Sequence, residues 1–163
     1  MDVVRTEGLT KEYPLGKQRV KALKGVDLAV VKGEFLAIAG PSGSGKSTLL
    51  NLIGCIDVPS AGRVFIKGEE VTGKTPDELA DLRARTIGFI FQSFNLLPVL
   101  SAAENVEYPL LNRPDVDKTA RRARVAYYLE RVGLSGFAGH RPAELSGGQR
   151  QRVAIARALA AHP

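Results

Sequence analysis

The segment Gly40-Pro41-Ser42-Gly43-Ser44-Gly45-Lys46-Ser47 fits the pattern G-x-x-x-x-G-K-[ST], and its chemistry is that of a phosphate cradle. Glycines let a loop wrap so that successive backbone N–H groups point inward at phosphate oxygens. A helix following the loop adds its unsatisfied N-terminal donors and the positive end of its dipole. Lys46 is placed to bridge β- and γ-phosphates, Ser47 to offer its hydroxyl to Mg²⁺, and Thr48 to reach the α-phosphate. The competing account, a Gly/Ser turn before a helix with a solvated lysine, fails to explain why a strand-like run leads directly into the loop. The cradle alone leaves kinase, GTPase and motor ATPase readings open.

A second candidate anion site lies at Leu145-Ser146-Gly147-Gly148-Gln149. There a Ser hydroxyl and two glycine N–H groups precede the helical stretch Arg150 to Leu159. By itself the pentapeptide reads equally well as a Ser/Gly helix cap.

These residues need elements to hold them. Val3 to Leu9 and Val20 to Val31 carry strand-like spacing and predict paired antiparallel strands, with a turn or loop at Tyr13-Pro14-Leu15-Gly16. Phe35 to Ala39 is a continuous apolar run, which predicts a strand covered on both faces leading into Gly40. A helix is expected from about Gly45, a strand over Gly62 to Lys67, and a helix start at Thr75-Pro76-Asp77-Glu78. Ile87 to Phe91 predicts a second short buried strand ending at Gln92, and Ser101-Ala102-Ala103-Glu104 a capping box opening a helix toward Leu111. From Ser93 to about Gly139 the chain reads as mostly helical, with Val125, Tyr128, Leu129 and Val132 on one face and Arg121, Arg122 and Arg124 on the other. A last helix starts near Gly147.

The 163 residues, 44% hydrophobic and 25% charged, have room for one domain and exclude a second full catalytic one. A formal charge of +6 suits a polyanionic partner: a nucleotide, a nucleic acid or an anionic membrane face. The single cysteine, Cys55, forbids an intramolecular disulfide, and a cytosolic setting is the expectation. The N-terminus reads as neither leader nor membrane span.

The pairing of the cradle with Leu145-Ser146-Gly147-Gly148-Gln149 resembles the ATP-binding-cassette ATPases, whose signature is L-S-G-G-Q. The resemblance implies an α/β fold: a P-loop NTPase core with an N-terminal antiparallel β subdomain and a helical signature subdomain. On this basis residues 1–92 are expected to form the β subdomain and P-loop core, 93–145 the helical part and 146–163 the signature helix. It further implies a head-to-tail dimer in which Ser146, Gly147 and Gly148 contact the γ-phosphate of the partner's ATP. Gln92 takes the place of the glutamine that approaches Mg²⁺ and the attacking water and links to the membrane partner, so Lys46 and Gln92 become the catalytic candidates. Tyr13 resembles the aromatic residue that stacks on adenine. The segments Ile87 to Pro98 and Ala103 to Leu110 look like the lipoprotein-releasing and macrolide-export branch. That branch implies a separate transmembrane permease subunit and a cytoplasmic location on the inner face of the membrane, with no nucleic acid as partner. His140 and His162 match no catalytic position and read as surface residues.

Family cassettes continue past the signature helix into a strand ending in Asp, a catalytic Glu and a switch His. Glu144 is the last acidic residue here, so the first two are absent from this chain. Leu52 to Asp57 mimics apolar residues ending in Asp, but it continues the cradle helix and precedes the signature. The expectation is a cassette lacking the last part of its core, with weak or no nucleotide binding, no turnover, and a tendency to instability through exposed strand edges. Two other classes compete. A DNA-repair or chromosome-maintenance ATPase would place coiled coils or a zinc module between the motifs, and none appears. A GTPase would read Asn112-Arg113-Pro114-Asp115 as its guanine loop, but Arg replaces the expected Lys. A non-catalytic regulatory cassette remains the third alternative.

Overall fold

A computed structural model describes residues 1–162, which fall into two compact units, one of residues 1–81 and one that begins at residue 82. The first is built on an antiparallel sheet of strand order β2-β1-β3-β4, in which β1 (Asp2–Leu15) lies between β2 (Gln18–Val31) and β3 (Ala61–Ile66), and β4 is the short Glu69–Glu70. The expected antiparallel pair is present. The turn, however, is tighter than Tyr13 to Gly16. Tyr13, Pro14 and Leu15 pair with Val20, Arg19 and Gln18, leaving only Gly16 and Lys17 to reverse the chain. Beyond Thr10, β1 pairs with β2 alone, so Pro14 sits on a free edge where its missing N–H forfeits no ladder bond.

Helix α1 (Lys46–Ile53) packs on β2 and β3 through Leu49 and Leu52, and with Leu9, Leu23, Val64 and Ile66 these side chains form the core of the unit. Fully burying a side chain of this size contributes about 1.5–3 kcal/mol.

The two apolar runs predicted as buried strands are not strands. Residues 35–39 and 87–91 form no ladder among the described residues. A strand is defined by its hydrogen-bonded neighbour, and neither run has one. Phe35 is consequently 96% exposed. At Thr75 the predicted cap forms, with the Thr75 N–H donating to Glu78 Oε2 at 2.6 Å and the Glu78 N–H to Thr75 Oγ1 at 3.3 Å. It closes a turn, and regular helix begins only at α2 (Ala80–Thr86).

The second unit is helical. Helices α3 (Ala102–Glu107), α4 (Lys118–Arg131) and α5 (Gly147–Ala160) pack around Ala102, Val106, Leu110, Val125, Leu129, Leu134 and Val153, all buried. The capping box at Ser101 and Glu104 forms as expected, and the helical run toward Leu111 ends in a 3₁₀ turn at Tyr108–Leu110. Val125 and Leu129 of the predicted α4 face are buried; Tyr128 and Val132 pack partly buried beside them. Ala102 of α3 and Ala156 and Ala160 of α5 have no exposed surface, and their small side chains suit the packing of these two helices.

Candidate functional site

In the first unit the cradle runs from Gly40 into α1. Gly40, Gly43 and Gly45 all hold positive φ, and Gly45 shows why one of them admits no substitute. Its φ is +89°, and a Cβ there would lie 2.4 Å from the carbonyl oxygen of Ala22 on β2. The loop is thus pressed against the sheet at the residue that caps α1. No side chain caps the helix, so its first N–H groups remain available as anion donors.

Lys46 bends back over the loop. Its Nζ donates to the carbonyls of Gly40 (2.8 Å) and Pro41 (2.7 Å) and lies 3.3 Å from Ser44 Oγ. The ammonium is therefore held over the loop by exposed, uncharged acceptors that an anion can replace. Ser42, Ser44 and Ser47 are exposed and Thr48 half-buried. A cavity of about 270 Å³ beside the loop is lined by the apolar Leu23, Val26, Ile38 and Leu49 and by Gly40, Pro41, Ser44, Gly45 and Lys46 of the loop.

Tyr13 reaches the same unit from β1. It is 37% exposed, and its hydroxyl donates to Asp57 Oδ2 at 2.8 Å. Burial first, then the Asp57 acceptor, push the phenol above its ordinary pKa, while a hydrogen bond with Thr48 opposes them.

Gln92 and the signature belong to the second unit. Gln92 is exposed at the end of the unpaired run 87–91. Ser146 is the N-cap of α5, in a reciprocal box with Gln149: the Gln149 N–H donates to Ser146 Oγ at 3.3 Å, and the Ser146 N–H donates to Gln149 Oε1 at 2.7 Å. Leu145 is buried, anchoring the motif in the helical core. Gly147 and Gly148 follow at the head of α5, exposed, and a Cβ added at either meets nothing within 4 Å. Nothing in the chain itself calls for glycine there. The motif is thus both a helix cap and an exposed set of backbone donors, so the two readings of the pentapeptide are compatible.

A loop links Gln92 to α3, and two residues that sequence reasoning missed pin it. Asn105 is fully buried; its Oδ1 accepts from the Leu97 N–H at 2.8 Å, and its Nδ2 lies 3.0–3.1 Å from the carbonyls of Leu97, Leu100 and Ser101. Arg157 of α5 donates to the carbonyls of Phe94 and Asn95 at 2.6 Å each. Their partners lie far off in sequence or are backbone atoms, so no motif announces them. In the supposed guanine loop Arg113 forks onto Asp115 at 2.8 and 2.7 Å and holds that carboxyl at a pKa of about 2, while its Nη1 donates to the carbonyls of Ala84 (3.4 Å) and Ala161 (3.3 Å). His140 is half-buried against Phe137, and His162 is exposed, edge-on to Tyr128.

A family model described as ABC transporter matches residues 23–163. The chain belongs to the ABC transporter family. An uncharacterised ABC transporter ATP-binding protein of Thermotoga maritima is 54% identical over 94% of this chain, which spans 65% of that protein. The macrolide export ATP-binding/permease protein MacB of Escherichia coli is 49% identical over 96% of the chain, which spans 24% of MacB. The solved dimer of the ATP-binding cassette MJ0796 bound to ADP and Pi superposes with a TM-score of 0.92 at 49% identity, covering 98% of this chain and 70% of that one. The α/β cassette fold and the resemblance to macrolide-export ATPases are thereby borne out. Among the described residues of this ABC chain, no helix is long and apolar enough to cross a membrane.

Proposed function

We propose that this chain is the nucleotide-binding part of an ABC transporter ATPase subunit, which holds Mg-ATP on its cradle and couples hydrolysis to export by a separate transmembrane permease. The observation that carries the reading is Lys46 poised over an uncapped helix N-terminus, held only by the Gly40 and Pro41 carbonyls and Ser44. When a triphosphate enters, these exposed contacts to neutral carbonyls are exchanged for contacts to phosphate oxygens, in which both partners carry charge. The N–H groups of the loop and of α1 neutralise the remaining charge, Thr48 meets the α-phosphate, and Tyr13 offers its ring to adenine.

Ser47 in the first unit presents an exposed hydroxyl and Gln92 in the second an exposed amide; each would offer Mg²⁺ a neutral oxygen of the kind a hard cation that keeps several waters accepts. When bound, the ion would offset charge developing on the β- and γ-oxygens. In a dimer of two copies, Leu145 seats the signature while Ser146, Gly147, Gly148 and Gln149 present the head of α5 to the partner's nucleotide. Glycine costs helix stability relative to alanine, and at the head of α5 it leaves room for a γ-phosphate to approach the backbone N–H groups. In this reading residues 1–92 supply the nucleotide-binding part, 93–145 the helical part and 146–163 the signature helix, at the cytoplasmic face of the membrane.

The test is titration of Mg-ATP into the chain. Binding that is weak but saturable, and lost in Lys46→Ala with the fold intact by circular dichroism, supports the site; equal binding by the variant rejects it.

A further inference from the structure

Lys11 and Tyr13 are two residues apart on β1, so their side chains leave the same face of the strand. Both converge on one carboxylate, that of Asp57, which lies beyond the end of α1. Lys11 Nζ donates to Asp57 Oδ1 at 2.7 Å and to the Val58 carbonyl at 2.6 Å, while the Tyr13 hydroxyl takes Oδ2 at 2.8 Å. Asp57 is itself fixed: its Oδ1 also accepts from the Val58 N–H at 2.8 Å, and its own N–H donates to the Asn51 carbonyl at the end of α1. Lys11 is only 8% exposed, and its ammonium sits 4.9 Å from the centroid of the Tyr13 ring.

A buried lysine is costly unless its charge is matched, and here the match is shared with the tyrosine. The outcome is an aromatic ring held at its hydroxyl end by a carboxylate, with a cation against the ring and the rest of the side chain exposed. Burial alone would raise the Asp57 carboxyl. The bonds from Lys11, Tyr13 and Val58 outweigh it and hold the carboxyl below its ordinary pKa. At neutral pH the phenol therefore donates to an ionised acceptor, which makes the tether one of the stronger hydrogen bonds of the unit.

We propose that Asp57, backed by Lys11, is a positioning residue for nucleobase recognition, holding the Tyr13 ring as a preformed stacking platform. This rests on the reading of Tyr13 as the partner of adenine. A free tyrosine must give up rotamer freedom when a base stacks on it, and a tethered one has already done so. Asp57 touches neither phosphate nor base in this account, so its effect falls on base recognition and leaves phosphate binding alone.

The experiment compares Mg-ATP with inorganic triphosphate as ligands of the full chain, by ligand-observed NMR, which follows weak binding. Tyr13→Phe keeps the ring and leaves the Lys11–Asp57 pair in place; it removes the tether and also the hydroxyl's contact with Thr48, whose effect on phosphate binding the triphosphate arm reads. The expected result is a loss of ATP affinity of about 3- to 10-fold, the cost of ordering one free side chain on binding, with triphosphate affinity unchanged. Asp57→Asn gives a similar loss, and the double variant is no worse than either single one. Should Asp57→Asn fail to fold, Tyr13→Phe alone decides.

If Tyr13→Phe binds ATP as the parent does while Tyr13→Ala loses affinity, the ring stacks without help; the proposal falls and the Tyr13 reading stands. If Tyr13→Ala also has no effect, both fall. A parallel loss of ATP and triphosphate in Tyr13→Phe marks the triad as a mere strut and overturns the proposal. Absence of measurable ATP binding by the unsubstituted chain removes the site reading and the proposal together.

Discussion

Arg157 holds Phe94 from 63 residues away in sequence, with Nη2 donating to the Phe94 carbonyl at 2.6 Å from the last turn of α5. Nη1 takes the adjoining carbonyl of Asn95 at the same distance. Phe94 and Asn95 are consecutive non-glycine residues at φ 63° and 45°, a left-handed conformation that costs on the order of 1–3 kcal/mol each. A guanidinium forked across both carbonyls is what offsets that strain, and it ties the loop after Gln92 to the helix that carries the signature. Arg157→Lys keeps the charge but cannot span two carbonyls. It is expected to destabilise the chain by about 1–3 kcal/mol, with faster amide exchange over residues 93–97 while α4 keeps its protection. Thermal unfolding and hydrogen exchange check both halves.

Asn105 pins the other end of the same loop. Replacing it with Ala strands the Leu97 N–H and leaves the carbonyls of Leu97, Leu100 and Ser101 without their partner. With a penalty of about 1–3 kcal/mol for each buried group left unsatisfied, Asn105→Ala is expected to cost more than Arg157→Lys. Denaturant midpoints for the two variants, measured side by side, decide the order.

The Lys11–Asp57–Tyr13 cluster bounds stability in pH from both sides. The folded pKa of Asp57 is depressed, so its contribution is present above the unfolded value, about 3.9, and is lost as pH falls through the folded value below that. The folded pKa of Tyr13 is raised, so its contribution is complete below the unfolded value of about 10 and is lost as pH rises past it toward the folded one. Melting temperature against pH is expected to show an acid limb that weakens in Asp57→Asn and an alkaline limb that weakens in Tyr13→Phe. An alkaline limb unchanged in Tyr13→Phe would mean that the hydroxyl does not sense Asp57.

General-base catalysis typically supplies 10²–10⁴-fold of rate, and no carboxylate follows Glu144 to provide it. Residues 1–163 are therefore expected to show no ATP turnover above background. Phosphate release that disappears in Lys46→Ala would show that some other group, Gln92 being the candidate, activates the water.

What the sequence made legible was whatever chemistry closes within a few residues. The boxes at Ser101 with Glu104 and Ser146 with Gln149 were readable because cap and acceptor are three residues apart. The cradle was readable because its glycines serve a local backbone path. The runs 35–39 and 87–91 misled because an apolar stretch records what a segment could bury and says nothing of whether a neighbouring strand is there to pair with it. Asp57 misled in the opposite sense. It looked like the tail of a helix, and its role emerges only when β1, 44 residues earlier in sequence, brings Tyr13 to it. Arg157 and Asn105 act on backbone carbonyls, which carry no side-chain signature at all.

Gly147 and Gly148 permit a test that separates folding from function. Both lie at the head of α5 with room for a Cβ, and neither has a positive φ. Glycine in a helix is less favourable than alanine by up to about 1 kcal/mol, so Gly148→Ala is expected to raise the melting temperature, by roughly 2–4 °C for each kcal/mol in a chain of this size. Ser146→Ala removes the cap and is expected to lower stability by about 1 kcal/mol. If the head of α5 meets the partner's nucleotide, the methyl of Gly148→Ala stands where phosphate must approach, and ATP-dependent association falls even as the fold becomes more stable. Sedimentation of parent and variant with and without Mg-ATP reads this directly. A variant that is more stable and associates undiminished would assign the glycines no part in nucleotide contact.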